Sequence, residues 1–128
     1  MDFEHQKNKT AKLQKVDIRI NNFGLRGADV SAKKSSERRI LFLGGSITLG
    51  WGVEQNKTIT SKIQKKFNEK KYDVEVLNAG IGNYNATRYI TRYFTNLEEL
   101  QPTDIVIHYF LRDAENLKPA KQNILLKN

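Results

Sequence analysis

The chain has 128 residues, enough for one modest hydrophobic core and too few for two. Hydrophobic residues make up 38% and charged residues 28%, no run of about 18 apolar residues is available to cross a membrane, and zero cysteines with two histidines leave no disulfide, thiolate site or zinc-like cluster, so neither cofactor nor metal is expected. The formal charge of +8 comes from lysines spread along the chain rather than gathered with aromatics, which argues against a nucleic-acid partner.

Residues 1–15, "MDFEHQKNKTAKLQK", are polar and read as a mobile tail. They hold no apolar stretch of the kind a signal peptide needs. The compartment therefore reads as cytoplasmic by default, and as extracytoplasmic if a leader has been removed. "VDIRI", 16–20, alternates as a short half-exposed strand does, and "NNFGLRG" and "DVSAKKSSER" follow as turn and polar loop. "RILFLGG" is the first core strand. Its continuous apolar run suits a parallel strand covered on both faces, and it breaks at a Gly-rich turn that presents Ser46.

"TITSKIQKKFNEK", 58–70, places Ile59, Ile63 and Phe67 on one helical stripe, with Thr58 as N-cap and Lys62, Lys65, Lys66, Lys70 and Lys71 toward solvent. "YDVEVLN" alternates and reads as an edge strand. "NAGIGNYN", 78–85, is a second Gly/Asn-rich turn, and Asn85 caps a helix with Ile90, Tyr93, Phe94, Leu97 and Leu100 on one face. "DIVIHYFL", 104–111, is a nearly continuous apolar strand after Pro102. The order predicts a doubly wound α/β fold with parallel strands near 39–44, 73–77 and 104–110, the first in the middle. The Gly-rich turns then meet at the carboxyl ends of the strands, where such sheets keep their sites.

"LFLGGSITLGWG", "VLNAGIGNYN" and "HYFLRDAEN" resemble, in order, blocks one, two and three of the SGNH/GDSL hydrolase family, and "INNFGLRG" resembles the segment that precedes block one. The resemblance spans about residues 16–118. It implies a three-layer flavodoxin-like sheet over a domain at 16–128 that is incomplete at its carboxyl-terminal end, and an ester hydrolase with a serine nucleophile. By position, Ser46 matches the nucleophile and first oxyanion donor, Asn83 the block-two glycine whose N–H is the second donor, and Arg112 the block-three asparagine that is the third. Such donors matter because the ester carbonyl gains charge during attack, and each lowers the barrier by roughly 3–4 kcal/mol. Gly45, Tyr84 and Asp113 are expected to line the cleft, Gly45 standing where the family usually has aspartate. Asn83 keeps a backbone N–H and tolerates left-handed backbone. Arg112 is longer and charged, and favours an anionic ligand.

The family's base, a histidine three residues after an aspartate, has no counterpart in this sequence, and an unassisted serine is a poor nucleophile. His108 reads as a packed or hydrogen-bonded histidine inside the third strand, several residues before its active end. His5 falls in the tail, and Asp113 reads as structural. Gly44, Gly45 and Gly50 equally suit a tight strand-to-helix turn, Trp51 packing or the cleft mouth, and Tyr84 an exposed loop.

Three functions stand open: an ester hydrolase acting on an O-acyl ester (acetylated carbohydrate or small lipid ester), weakened as this chain; a non-catalytic carbohydrate- or anion-binding module; and a polyanion binder. The 104–111 strand is expected to form a long apolar edge, paired with a second copy in a homodimer or covered by residues 119–128 through Ile124, Leu125 and Leu126.

Overall fold

The computed structural model describes residues 3–114 and, as backbone, 126–127. In chain order the regular elements are β1 (Glu4–His5), β2 (Lys9–Leu13), β3 (Val16–Ile20), β4 (Arg38–Gly44), α1 (Ser46–Leu49), α2 (Ile59–Glu69), β5 (Val74–Gly80), α3 (Ala86–Arg92), β6 (Asp104–His108) and β7 (Leu126–Lys127). Single turns of tighter or wider helix occupy Gln55–Lys57, Tyr93–Leu97, Glu98–Leu100 and Leu111–Ala114.

The sheet that organises the molecule has the order β5-β4-β6, all parallel, with β4 in the middle as the residue pattern predicts. In this register Gly44 stands opposite both Gly80 and His108, so the three strands finish level and their loops leave together. Successive strand residues face opposite ways. Leu41, Leu43, Leu77 and Ala79 face Tyr89, Leu97 and Leu100 in the main core, where each large side chain contributes on the order of 1.5–3 kcal/mol. On the other face Asn78 donates to the carbonyl of Thr48 (2.8 Å) and to Thr60 Oγ1 (3.2 Å), tying the sheet to α1 and α2. Helical segments therefore lie on both faces of a parallel sheet.

The two edges differ. Gln64 of α2 donates to the carbonyl of Val74 (2.7 Å) and accepts from the N–H of Val76 (2.7 Å), and the N–H of Arg26 donates to the carbonyl of Asn78 (3.1 Å). These bonds occupy outer-edge groups of β5 that a further strand would otherwise take. They also explain a departure in α2. Thr58 caps the helix as expected, but its inward row is Thr60 and Gln64, while Ile63 and Phe67 are half-buried and Ile59 is 42% exposed. By contrast, among the described residues no strand pairs with the outer edge of β6, and Ile105, Val106 and Ile107 are all exposed.

Other departures concern the ends of elements. Of the expected tail at 1–15, the described residues 3–15 are not structureless: β2 pairs antiparallel with β3 (Ala11 opposite Ile18), and Phe3 and His5 are buried. Ala11 with Ile18 and Ile20 makes a small second core, with half-buried Leu13 packed against it. The helix after Asn85 buries Tyr89, Arg92, Leu97 and Leu100 while Ile90 and Phe94 are exposed. The wide turn at Tyr93–Leu97 shifts the buried row by one residue. Leu126–Lys127 pairs with β1, not with the β6 edge as expected. Ile124 and Leu125 lie outside the described residues. No helix among the described residues is long and apolar enough to cross a membrane.

Candidate functional site

β4 ends at Gly44, and two residues later Ser46 opens α1. The approach is so close that side chains are excluded. A Cβ at Gly80 would run into the backbone of Leu49, and one at Gly44 into Thr48 Oγ1 and, at 3.1 Å, the carbonyl of His108. α1 stops after one turn because Gly50 takes a left-handed backbone (φ 81°), its N–H donating back to the carbonyl of Ser46 at 3.0 Å. Behind this turn stands the buried Arg26. Its guanidinium donates to the carbonyls of Leu49 (2.9 Å), Gly50 (2.7 Å) and Val53 (2.6 Å), and its Nε to Gln55 Oε1 (3.0 Å). Burial lowers its pKa from the usual arginine value.

The loop after β5 is tied to the Gly44–Ser46 turn by the N–H of Ile81, which donates to the carbonyl of Gly44 (3.1 Å). Asn83 adopts φ 61°, the left-handed conformation that asparagine tolerates better than most residues. Its carbonyl accepts from Arg88 (2.9 Å), and the Asn85 side chain caps α3 through the N–H of Arg88 (3.0 Å). Tyr84 is buried rather than an exposed loop aromatic. Its hydroxyl donates to the carbonyl of Phe3, and its ring meets the Phe3 ring edge-on at 5.0 Å.

The loop after β6 folds on Asp113. This buried carboxylate accepts from the N–H of Phe110 (2.9 Å) and from the Tyr89 hydroxyl (3.4 Å). Burial first, and then the negative charge of Asp113, push the Tyr89 hydroxyl up to about 12.

These three loops enclose a cleft of about 80 Å³. It brings together Gly45, Ser46, Asn83, Tyr84, Arg112 and Asp113, all six residues singled out in the sequence, and its wall is completed by Ile47, Thr48, His108 and Phe110. A Cβ on Gly45 would stand 3.3 Å from the carbonyl of Tyr84 and 3.9 Å from Asp113 Oδ1. An aspartate there would set a second carboxylate against Asp113, so the glycine suits its surroundings. Beside the cleft a shallow apolar groove runs from Ser46 over Ile47, Gly50, Trp51 and Val53, with Trp51 39% exposed at its mouth.

The structure corrects the placement of both histidines. β6 ends at His108, not two or three residues beyond it, so His108 stands at the carboxyl end of its strand and in the wall of the Ser46 cleft. It is hydrogen-bonded, as read: His108 Nδ1 lies 3.1 Å from Thr48 Oγ1. Thr48 carries no signal in sequence beyond standing two residues after Ser46. His5 is buried, its Nδ1 3.4 Å from the carbonyl of Gly24, far in sequence from the cleft loops. Burial first, and then the charge of Arg92, lower its pKa to about 3.

No protein-family model matches the chain, and no curated protein matches it in sequence. Among solved structures, the crystal structure of TesA matches with a TM-score of 0.54 and 26% identity, over 57% of this chain and 41% of the TesA chain. The likeness is one of fold, a hydrolase-like α/β arrangement, and the chain spans less than half of TesA's length.

Proposed function

We infer that the chain is an ester hydrolase of the SGNH/GDSL type, with Ser46 as the nucleophile acting on an O-acyl ester. One observation carries this reading: Ser46, Asn83 and Arg112, from loops after three different strands, line a single cleft. The fold-level likeness to TesA agrees with it. In the reaction, Ser46 Oγ attacks the acyl carbon while its proton passes to a base. The carbonyl oxygen takes the displaced electron pair and is met by the backbone N–H groups of Ser46 and Asn83 and by the guanidinium of Arg112. Fixed donors of this kind act on charge that exists only in the transition state. The small cleft favours a short acyl group, as on an acetylated carbohydrate or a small lipid ester.

Hydrolysis of p-nitrophenyl acetate tests the reading. Turnover by the wild-type chain that disappears in Ser46→Ala supports it, and equal turnover by the two proteins overturns it. Arg112 supports a second reading, a carbohydrate- or anion-binding module on the same fold, because a guanidinium stands where the resemblance implies a neutral amide. That reading requires calorimetric binding of an acidic sugar that is lost in Arg112→Ala and unchanged in Ser46→Ala.

A further inference from the structure

We propose that Phe3, directly before β1, is a positioning residue: it clamps the loop that carries Asn83 and so fixes where the second oxyanion donor stands. Its part in the reaction rests on the hydrolase reading above. The tip of this loop has little to hold it. A Cβ on Gly82 would meet no heavy atom within 4 Å, and Asn83 is exposed. Asn83 nevertheless keeps φ at 61°, a left-handed backbone that persists where its surroundings impose it. On the β5 side the loop is fixed by the N–H of Ile81 on the carbonyl of Gly44 (3.1 Å).

On the other side Phe3 reaches Asn83 by two routes. The first runs through Tyr84, the next residue in the chain. Its hydroxyl donates to the carbonyl of Phe3, and the two rings meet edge-on at 5.0 Å. The second runs through Arg88, whose guanidinium carbon lies 5.3 Å from the centre of the Phe3 ring, within cation–π range. The same guanidinium donates to the carbonyl of Asn83 (2.9 Å). The carbonyl of Tyr84 also packs against Gly45, the residue before Ser46. Phe3 is itself held in place. It is buried in the main core, Asn96 donates to Glu4 Oε2 (2.9 Å), His5 Nδ1 lies 3.4 Å from the carbonyl of Gly24, and β1 pairs with β7. Neither Asn96 nor Gly24 lines the cleft, so the clamp joins the cleft to parts of the fold outside it. In the reaction it acts on the transition state. The carbonyl oxygen gains charge only as Ser46 attacks, and a donor displaced by about 1 Å loses on the order of a hundredfold in rate.

The test joins steady-state hydrolysis of p-nitrophenyl acetate to hydrogen exchange, read by mass spectrometry on peptides covering 81–85 and 38–44. Phe3→Ala is expected to lower kcat roughly 10- to 100-fold, with KM within twofold of wild type. Exchange at 81–85 becomes at least tenfold faster, while 38–44 keeps its wild-type protection. Tyr84→Phe, which deletes only the bond to the Phe3 carbonyl, moves both readouts the same way by a smaller factor. A residue that merely stabilises the fold would speed exchange in both peptides and leave the kcat of the folded fraction unchanged. That result overturns the assignment, as does a Phe3→Ala kcat within twofold of wild type or unchanged exchange at 81–85. If Phe3→Ala does not fold, Tyr84→Phe decides, and a wild-type kcat or wild-type exchange in it overturns the assignment. A wild-type chain without turnover overturns the hydrolase reading; the clamp then stands on faster exchange at 81–85 and falls on unchanged exchange.

Discussion

The guanidinium of Arg26 donates to the carbonyl of Gly50 at 2.7 Å, and to those of Leu49 and Val53 beside it. A residue in the polar segment before the sheet thereby fixes the turn that presents Ser46. Removing it takes a donor from all three carbonyls, although that of Gly50 still accepts from the N–H of Val53 (3.0 Å), and a buried carbonyl left unpaired costs on the order of 1–3 kcal/mol. Arg26→Ala is expected to lose about 3 kcal/mol of stability in urea unfolding, with Arg26→Lys recovering only part. A loss below about 0.5 kcal/mol would show that the turn holds itself.

Gly45→Asp sets a carboxylate beside Asp113 Oδ1 and the carbonyl of Tyr84. Two like charges at this range repel, so the variant is expected to be at least about 1 kcal/mol less stable. In the double variant with Asp113→Asn the two effects are not additive, because the repulsion is gone. Strict additivity in a double-mutant cycle would mean that the carboxylates do not meet.

His5 gives the stability a pH dependence. Folded, its pKa is lowered to about 3; unfolded, it takes a proton near the ordinary histidine value of 6.5. Between these limits the unfolded state binds more protons, so this contribution is complete above about pH 6.5 and is lost as pH falls toward 3. At about 1.4 kcal/mol per pH unit, the loss reaches roughly 5 kcal/mol. His5→Asn is expected to flatten the stability profile over this window. An equally steep profile in the variant would assign the slope to other groups.

The outer edge of β6, which no described strand pairs, predicts self-association. Ile105 and Ile107 are 42% and 49% exposed, and nothing among the described residues pairs with the strand's outer side, whereas Gln64 and Arg26 occupy the outer side of β5. A second copy of this chain is the expected occupant. Light scattering over a concentration series should show dimer formation that Ile107→Lys suppresses. A wild-type chain that stays monomeric at millimolar concentration contradicts this.

How far the sequence reveals this depends on where the information is local. The β4 run and its collapse at Gly44–Ser46 are legible because a buried parallel strand writes itself as continuous apolar residues. Asn83 was readable as a left-handed residue for a similar local reason. β2 was not, since its apolar residues are only Ala11 and Leu13, and its hairpin turns on Gln14 and Lys15 with positive φ (52° and 63°), without the Asn or Gly that marks such turns. The inward row of α2 was misread because Gln64 and Thr60 face the sheet for hydrogen bonds that depend on which edge of β5 is open. The end of β6 was hidden by Tyr109 and Phe110, apolar residues that continue the strand's pattern into the loop. The apolar pattern therefore places His108 inside the strand, whereas the strand ends on it.

The central claim is that Ser46 is the nucleophile of an acyl transfer. The most direct measurement is intact-mass and peptide mass spectrometry of the chain quenched in acid during reaction with p-nitrophenyl acetate. The account predicts an acetyl group on the peptide carrying Ser46, present during turnover, lost as substrate runs out and missing from Ser46→Ala. Steady hydrolysis with no acetyl group at Ser46, and with Ser46→Ala as active as wild type, would contradict it.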